Sequence, residues 1–568
     1  MLVRRNNSNN FKKFLILFFI LFSISIYFIV LKQNSNNKNI NTEMQEKKDQ
    51  IFNEKDKEKY IKEFEDGFTR KIDSVISKEL SHLNGEVYLD YTGAGVYLQS
   101  LIKKSFENYQ KSLYSNAHSR SPSSLKTENE IEQVRKQILS FFHTNSSEYS
   151  VIFTSGATSA LKLVGESFPW KEESKFVYSR SNHNSVLGIR GYSIENGNGF
   201  AVIPDEELWD KRFKITSFID KTFKDNQMKE NQKFTQFKKK QKFTNLDDIE
   251  KFTKFTKFTQ FTKLDENEET EIEGIPHLIA YPAESNFDGS KFDLNLINQI
   301  HSQSTKEHKF YVLLDAAAFV PTNELDLSKY PADFVTISFY KMFGFPTGIG
   351  ALIVRNEVTS VMKKHFFGGG TVILSCCDYN FCIYNPKPSS KFEDGTINFL
   401  SIISLKYGLE MLSSFGINNI NHHVWSLTRY LFQNLKNLKH DNNKPLVEIY
   451  GNHELNDPGK QGGIISFNLK NSLGEYIGYY QVQTDSAKEG IHLRTGCHCN
   501  PGGCNEALGI TSEEIMEMAD SKKSCSDNID FINGKPFGVV RVSLGYFSTY
   551  EDIEYLLHFL KKNYLNSK

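Results

Sequence analysis

Residues Phe334 to Ala351 read FVTISFYKMFGFPTGIGA. The opening run, Phe334-Val335-Thr336-Ile337-Ser338, has the apolar and β-branched character of a strand buried on both faces. Lys341 follows it closely, and Gly344, Gly348 and Gly350 then mark turns. A lysine at the mouth of a buried strand loses solvation of its ammonium form, which lowers its pKa and makes the amine nucleophilic. Somewhat earlier, Val312-Leu313-Leu314-Asp315 is another apolar run, and it closes on a carboxylate. Strands alternate with helices around both runs, as in a mainly parallel sheet covered on both faces. Ligands in such sheets collect at the carboxyl ends of strands, where Asp315 and Lys341 both fall.

A lysine that can form an imine and an aspartate that can pair with a pyridinium nitrogen are the two protein groups that pyridoxal 5'-phosphate requires. Val151-Ile152-Phe153 enters the small-residue turn Thr154-Ser155-Gly156-Ala157-Thr158, and a helix is predicted from Ser159. A strand, a turn and a helix start make a phosphate site, because free N–H groups and the helix dipole point at the anion. The same residues also read as a plain strand–turn–helix junction. His183 follows the short strand Phe176-Val177-Tyr178, and a lone histidine there more often packs or caps than catalyses.

With 568 residues the chain has room for more than one domain. Lys+Arg and Asp+Glu both number 68, so nothing in the charge balance calls for a nucleic-acid partner. Residues 1–13 are basic, and Phe14 to Leu31 is an uncharged run just long enough to span a bilayer. We read it as an uncleaved single-pass membrane anchor, ahead of a cleaved signal peptide or a mitochondrial presequence. The charge before it places the rest of the chain on the non-cytoplasmic side. Residues 32–65 look like a polar, solvated stalk. Val87 to Tyr91 is strand-like, and Glu130 to Phe142 has helical spacing of apolar positions. Residues 205–273, with Lys-Phe-Thr recurring from Lys233 onward, read as a low-complexity, disordered insertion in a large domain spanning 83–398. RNA or anionic lipid is the lesser reading of those basic and aromatic repeats. Two helical stretches and short strands over 399–568 form a smaller α+β domain.

The seven cysteines are clustered and odd in number, which favours thiol chemistry or metal binding over structural bridges. Cys497, Cys499 and Cys504, with His498 between, have spacing that zinc would accept. Cys376, Cys377 and Cys382 read as surface or packing thiols.

Together these segments resemble the aminotransferase class V family of fold-type I pyridoxal-phosphate enzymes, and within it the cysteine-desulfurase-like domain of molybdenum cofactor sulfurases. The matching pieces are YLDYTGAG (Tyr88 to Gly95), FTSGAT (Phe153 to Thr158), AESNFDG (Ala283 to Gly289) and YVLLDAAAFV (Tyr311 to Val320). ISFYKMFGFPTGIGAL (Ile337 to Leu352), FFGGGT (Phe366 to Thr371), KFEDGTINF (Lys391 to Phe399) and HLRTGCHCNPGGC (His492 to Cys504) continue the series. The resemblance implies an α/β large domain with a smaller α+β domain, a homodimer, and pyridoxal 5'-phosphate held by Lys341. Asp315 would pair with the ring nitrogen, His183 stack on the ring and move protons, and Asn286 bond the ring hydroxyl. Ala157, Thr158 and Ser338 would hold the phosphate, with Thr371 reaching that of a neighbouring subunit. Arg541 would grip the carboxylate of L-cysteine, and Arg494 is a second candidate. Cys499 would take the sulfur as a persulfide, releasing alanine, with Arg494 or His498 supplying positive charge to its thiolate. That role displaces the zinc reading and leaves no metal site.

Tyr340 and Cys497 stand where ordinary desulfurases carry histidine. The acceptor domain of molybdenum cofactor sulfurases is not recognisable, so the sulfur acceptor is expected on a separate chain, as a protein or as molybdenum cofactor. Other class V lyases or aminotransferases acting on a small amino acid, and a silent membrane-tethered scaffold, are the competing readings.

Overall fold

The computed structural model describes residues 51–210, 212–223, 273–520 and 529–568. Strand β1 (Val87–Tyr88) stands apart from the central sheet. Among the described residues that sheet comprises β2 (Tyr149–Thr154), β3 (Lys175–Ser179), β4 (Gly199–Ile203), β5 (Ile275–Pro282), β6 (His308–Asp315), β7 (Phe334–Ser338) and β8 (Gly350–Arg355). Their order is β2-β8-β7-β6-β5-β3-β4, and only β8 runs antiparallel to its neighbours. Every residue of β7 is buried, as its unbroken apolar run predicts for a strand covered on both faces. Helices Ala157–Ser167 and Pro122–Phe141 are among those that pack on the sheet. The fold is α/β with a mainly parallel sheet, as the strand–helix alternation predicts.

A second sheet orders Val447–Tyr450, Ile464–Lys470, Val539–Ser543 and Arg494–Gly496 side by side, all antiparallel. Helices Ile417–Asn437 and Tyr550–Tyr564 pack on each other beside it. The run predicted as a strand from Val87 to Tyr91 pairs only at Val87 and Tyr88, in parallel with Ile491 and His492. Asp90 then bridges to Ser543. The N-terminal stretch is thereby carried to the second sheet, where Asp90 meets Arg494 and Arg541.

Three expectations change. The membrane localisation is corrected: among the described residues no helix is long and apolar enough to cross a membrane, and the apolar run at 14–31 lies outside them. The stalk reading fails at its C-terminal end. Glu54–Glu63 is a helix capped by Asn53, with Tyr60 buried and the Lys57 ammonium held by Asp73 at 2.8 Å and Glu551 at 2.6 Å. Its composition is highly charged, so only the narrow stripe of Lys57, Tyr60 and Phe64 marks its packed face. The insertion also begins later than 205, because Leu208 and Ile215 are buried and the Ile215 N–H donates to Gln303 Oε1 at 2.8 Å. The Lys-Phe-Thr repeats fall outside the described residues.

Candidate active site

Lys341 sits on a short helix, Phe339–Phe343, that starts directly after β7. It opens onto a cavity of about 200 Å³ lined also by Gly156, Ala157, Thr158, His183, Asn286, Asp315 and Ser338. Seven of the residues singled out in the sequence therefore share one cavity, together with the lysine, although they come from five segments of chain. Burial holds the Lys341 amine below the usual lysine range, against the pull of Asp315, and Arg541 and Arg494 add to the lowering. A neutral amine is the form that attacks a carbonyl.

The anion end of the cavity is built by Gly156, whose φ of +150° suits glycine, ahead of helix Ala157–Ser167. No side chain caps this helix, and a Cβ at Gly156 would meet only Ser338 Oγ at 3.7 Å. The Ala157 N–H donates to Ser338 Oγ at 2.9 Å, while the Thr158 and Ser185 hydroxyls bond each other at 2.9 Å. An uncapped helix N-terminus with hydroxyls around it fits a phosphate. At the other end Asp315 Oδ1 accepts from the Ala317 N–H at 3.1 Å and the Thr336 hydroxyl at 3.4 Å, so the carboxylate is fixed in direction. His183 Nδ1 accepts from the Ser185 N–H at 3.1 Å, which leaves Nε2 as the nitrogen for proton exchange. Burial keeps its imidazole below the ordinary histidine pKa, opposed by Asp315 and assisted by Lys341. These residues fit pyridoxal phosphate at both ends: a phosphate cradle, and a carboxylate beside a lysine.

Asn286 has a further engagement. Its Nδ2 donates to the His498 carbonyl at 2.7 Å, and its Oδ1 accepts from Asn500 Nδ2 at 3.2 Å. The Asn184 N–H donates to the Cys499 carbonyl at 2.7 Å. The cysteine loop is thus pinned beside His183, although Cys499, Arg494 and Arg541 are not among the residues that line the cavity. His498 and Cys499 both have positive φ, of 54° and 56°, and the Cys499 thiol is free and exposed. His498 brings no positive charge to it: burial, with Arg541 and Arg494 nearby, pushes its pKa well below the ordinary value, and neither ring nitrogen has a partner. Of the two expected sources of positive charge, Arg494 remains.

Cys497 and Cys504 are joined in a disulfide across a Cα–Cα distance of 5.3 Å, against the expectation of no structural bridge. They stand on either side of the start of helix Pro501–Leu508, and the bond removes two of the three thiolates that a zinc site here would need. Thr371 does not line the cavity; it is buried, with its hydroxyl bonded to the N–H and C=O of Gly368.

Asp90 and Glu284 are the residues the sequence reading passed over. Asp90 binds both candidate substrate arginines. Glu284 lines the cavity, and burial pushes its carboxyl up to about 8 against the attraction of Lys291. Both lie inside quoted motifs, YLDYTGAG and AESNFDG, so the signal was present as a carboxylate in a run of small or apolar residues.

A mainly parallel sheet with a buried lysine, a facing aspartate and a phosphate turn around one cavity defines a fold-type I pyridoxal-phosphate enzyme. Residues 87–200 and 249–556 match the family described as aminotransferase class-V, and the chain belongs to it. Molybdenum cofactor sulfurase of Danio rerio is 39% identical over 500 residues, covering 86% of this chain and 54% of that protein. The Solanum lycopersicum protein of the same name is 38% identical over 535 residues, covering 90% and 60%. The chain thus spans between about half and 60% of the length of these curated relatives. Among solved structures, a cysteine desulfurase from Thermococcus onnurineus NA1 superposes with a TM-score of 0.62 at 20% identity, over 86% of this chain and 97% of that one. The cystine C-S lyase C-DES, solved in complex with cysteine persulfide, gives 0.55 at 14% identity, over 85% and 99%. These two likenesses speak to the fold.

Proposed function

We propose that the chain is a cysteine desulfurase that takes sulfur from L-cysteine onto Cys499 and hands it to an acceptor, protein or molybdenum cofactor. The observation that carries this is the position of Cys499: a free, exposed thiol whose own carbonyl is held by the Asn184 N–H, next to His183 at the cavity wall. Pyridoxal phosphate, when bound, withdraws electrons from the substrate's Cα and so weakens its bonds. Lys341 would hold it through its neutral amine, Asp315 at the ring nitrogen, and the Ala157 end at the phosphate. Arg541 receives the substrate carboxylate. His183, neutral and fixed through Nδ1, moves protons through Nε2. In the sulfur step the substrate's Cβ–S bond breaks and an S–S bond forms on Cys499 Sγ. The Cβ carbon takes a proton, alanine leaves, and no external oxidant or reductant is consumed.

The apolar side chains Phe366, Ile373, Leu374, Tyr379 and Phe381 stand exposed on and beside the hairpin of Val372–Ser375 with Cys382–Tyr384. They support a homodimer that covers this hairpin. The test is alanine release from L-cysteine by the purified chain loaded with pyridoxal phosphate, with mass spectrometry of Cys499. Lys341→Ala should abolish the visible cofactor band, and Cys499→Ala should abolish the persulfide. Undiminished sulfur transfer in Cys499→Ala would end the assignment. A class V lyase acting on another small amino acid would keep the band and release product without Cys499.

A further inference from the structure

We infer that Asp90 sets the substrate selectivity of the carboxylate site, by cancelling one of two arginine charges so that one amino-acid carboxylate is accepted and a second negative charge is turned away. The inference rests on reading Arg541 as the substrate-carboxylate arginine. Arg494 and Arg541 are directly opposed on antiparallel strands, a placement in which like charges repel. Asp90 relieves that repulsion by bridging them. Its Oδ1 accepts from Arg541 Nη2 at 2.8 Å, and its Oδ2 accepts from Arg494 Nε at 3.0 Å and lies 2.9 Å from Nη2.

The bridge is built into the backbone. Asp90 is tied to the second sheet by the Tyr91 N–H donating to the Ser543 carbonyl at 3.3 Å and the Ser543 N–H donating to the Leu89 carbonyl at 2.8 Å. Gly93 closes over it: a Cβ there would stand 2.3 Å from Asp90 Oδ2 and 2.7 Å from Arg494 Nη2, so any side chain would have to push the pair aside.

Charge then counts as follows. Two guanidinium groups and one carboxylate leave a single positive charge, and His498 beside them is neutral. Arg541 is 2% exposed; its Nη1 donates to the Asn286 carbonyl at 2.7 Å, and its Nε is buried with no partner. Arg541 thus keeps one N–H for which the described residues supply no acceptor, next to the cavity-lining Asn286. The net charge matches an amino acid such as cysteine, whose side chain is neutral when protonated. An amino acid with an acidic side chain brings a second negative charge to a site whose positive charge is already used, and Asp90 repels it.

The experiment measures binding of L-alanine and L-aspartate to the full-length holoenzyme through the change in cofactor absorbance, so that neither turnover nor Cys499 enters. Wild type should prefer L-alanine. Asp90→Asn should shift the alanine-to-aspartate preference toward L-aspartate by at least tenfold, and Asp90→Glu should restore most of it. Arg494→Gln, at an exposed position whose loss does not threaten folding, should weaken L-alanine by at least tenfold by leaving the site with no net charge. An unchanged preference in folded Asp90→Asn, or L-alanine binding unaltered by Arg494→Gln, overturns the inference. A shifted preference with no persulfide formed from L-cysteine would uphold the role of Asp90 and refute the desulfurase reading instead.

Discussion

Asn286→Ala tests how the cysteine loop is brought to the cavity. The side chain makes two bonds to that loop, to the His498 carbonyl at 2.7 Å and from Asn500 Nδ2 at 3.2 Å. Each is worth about 1 kcal/mol net, and leaving the His498 carbonyl unpaired adds to the first. Asn500 loses less, since its Nδ2 also donates to the Ser181 carbonyl at 2.9 Å and its Oδ1 accepts from the Gly503 N–H at 3.1 Å. The sum is about 2 kcal/mol of loop placement, or roughly 30-fold in the fraction of molecules with Cys499 poised. Rapid mixing with L-cysteine, quenching and mass spectrometry of the Cys499 peptide reads the rate of persulfide formation. Cofactor content of the same sample separates loss of loop placement from loss of pyridoxal phosphate. A persulfide rate within twofold of the parent, at full cofactor content, would refute the idea that Asn286 positions the loop.

The cluster under the N-terminal helices makes a prediction about acid. Asp66 accepts from the hydroxyls of Tyr60 at 2.6 Å and Thr69 at 2.7 Å and pairs with His423 Nδ1 at 2.9 Å, all buried. Burial opposes its ionisation, but these bonds, His423 first, outweigh it and hold the carboxyl below the ordinary range. A depressed pKa contributes stability that is present above about pH 4 and lost as pH falls through the folded value. Asp66→Asn should therefore cost about 3 kcal/mol in urea unfolding at neutral pH, with the gap to wild type narrowing below pH 4. Glu393 accepts from Arg135 Nη1 at 2.8 Å and Nη2 at 2.7 Å, and from the Phe153 N–H at 2.7 Å. Glu393→Ala leaves the buried Arg135 guanidinium with Glu132, at 3.0 Å from its Nε, as its remaining carboxylate partner, and should cost about 3 kcal/mol by the same measurement. It should also weaken cofactor binding, because Phe153 leads into the phosphate turn.

The strands of the central sheet were legible because burial on both faces leaves a continuous apolar run with little to confuse it, as in β6 and β7. Helix Glu54–Glu63 was hidden because a helix that buries only a narrow stripe can be charged everywhere else, and window composition then resembles a stalk. The pairing of Cys497 with Cys504 was hidden for a different reason: spacing along the chain suits a bridge and a metal equally, and only the turn into helix Pro501–Leu508 brings those two together and leaves Cys499 outside.

The linear sequence by itself determined the chemistry available here: Lys341 after a buried strand, Asp315 at the end of another, the small-residue turn at Gly156, and the cysteine cluster. These are properties of local residue type, read over a few positions. What only the tertiary structure decided is which groups share a charge. Asp90 lies in the N-terminal part of the chain and Arg494 and Arg541 near its end, and no periodicity relates them. They meet because β1, apart from the central sheet, pairs at Val87 and Tyr88 with Ile491 and His492, which sets the Asp90 carboxylate between two guanidinium groups. Electrostatic partnership depends on distance in space, and that distance is fixed by strand pairing.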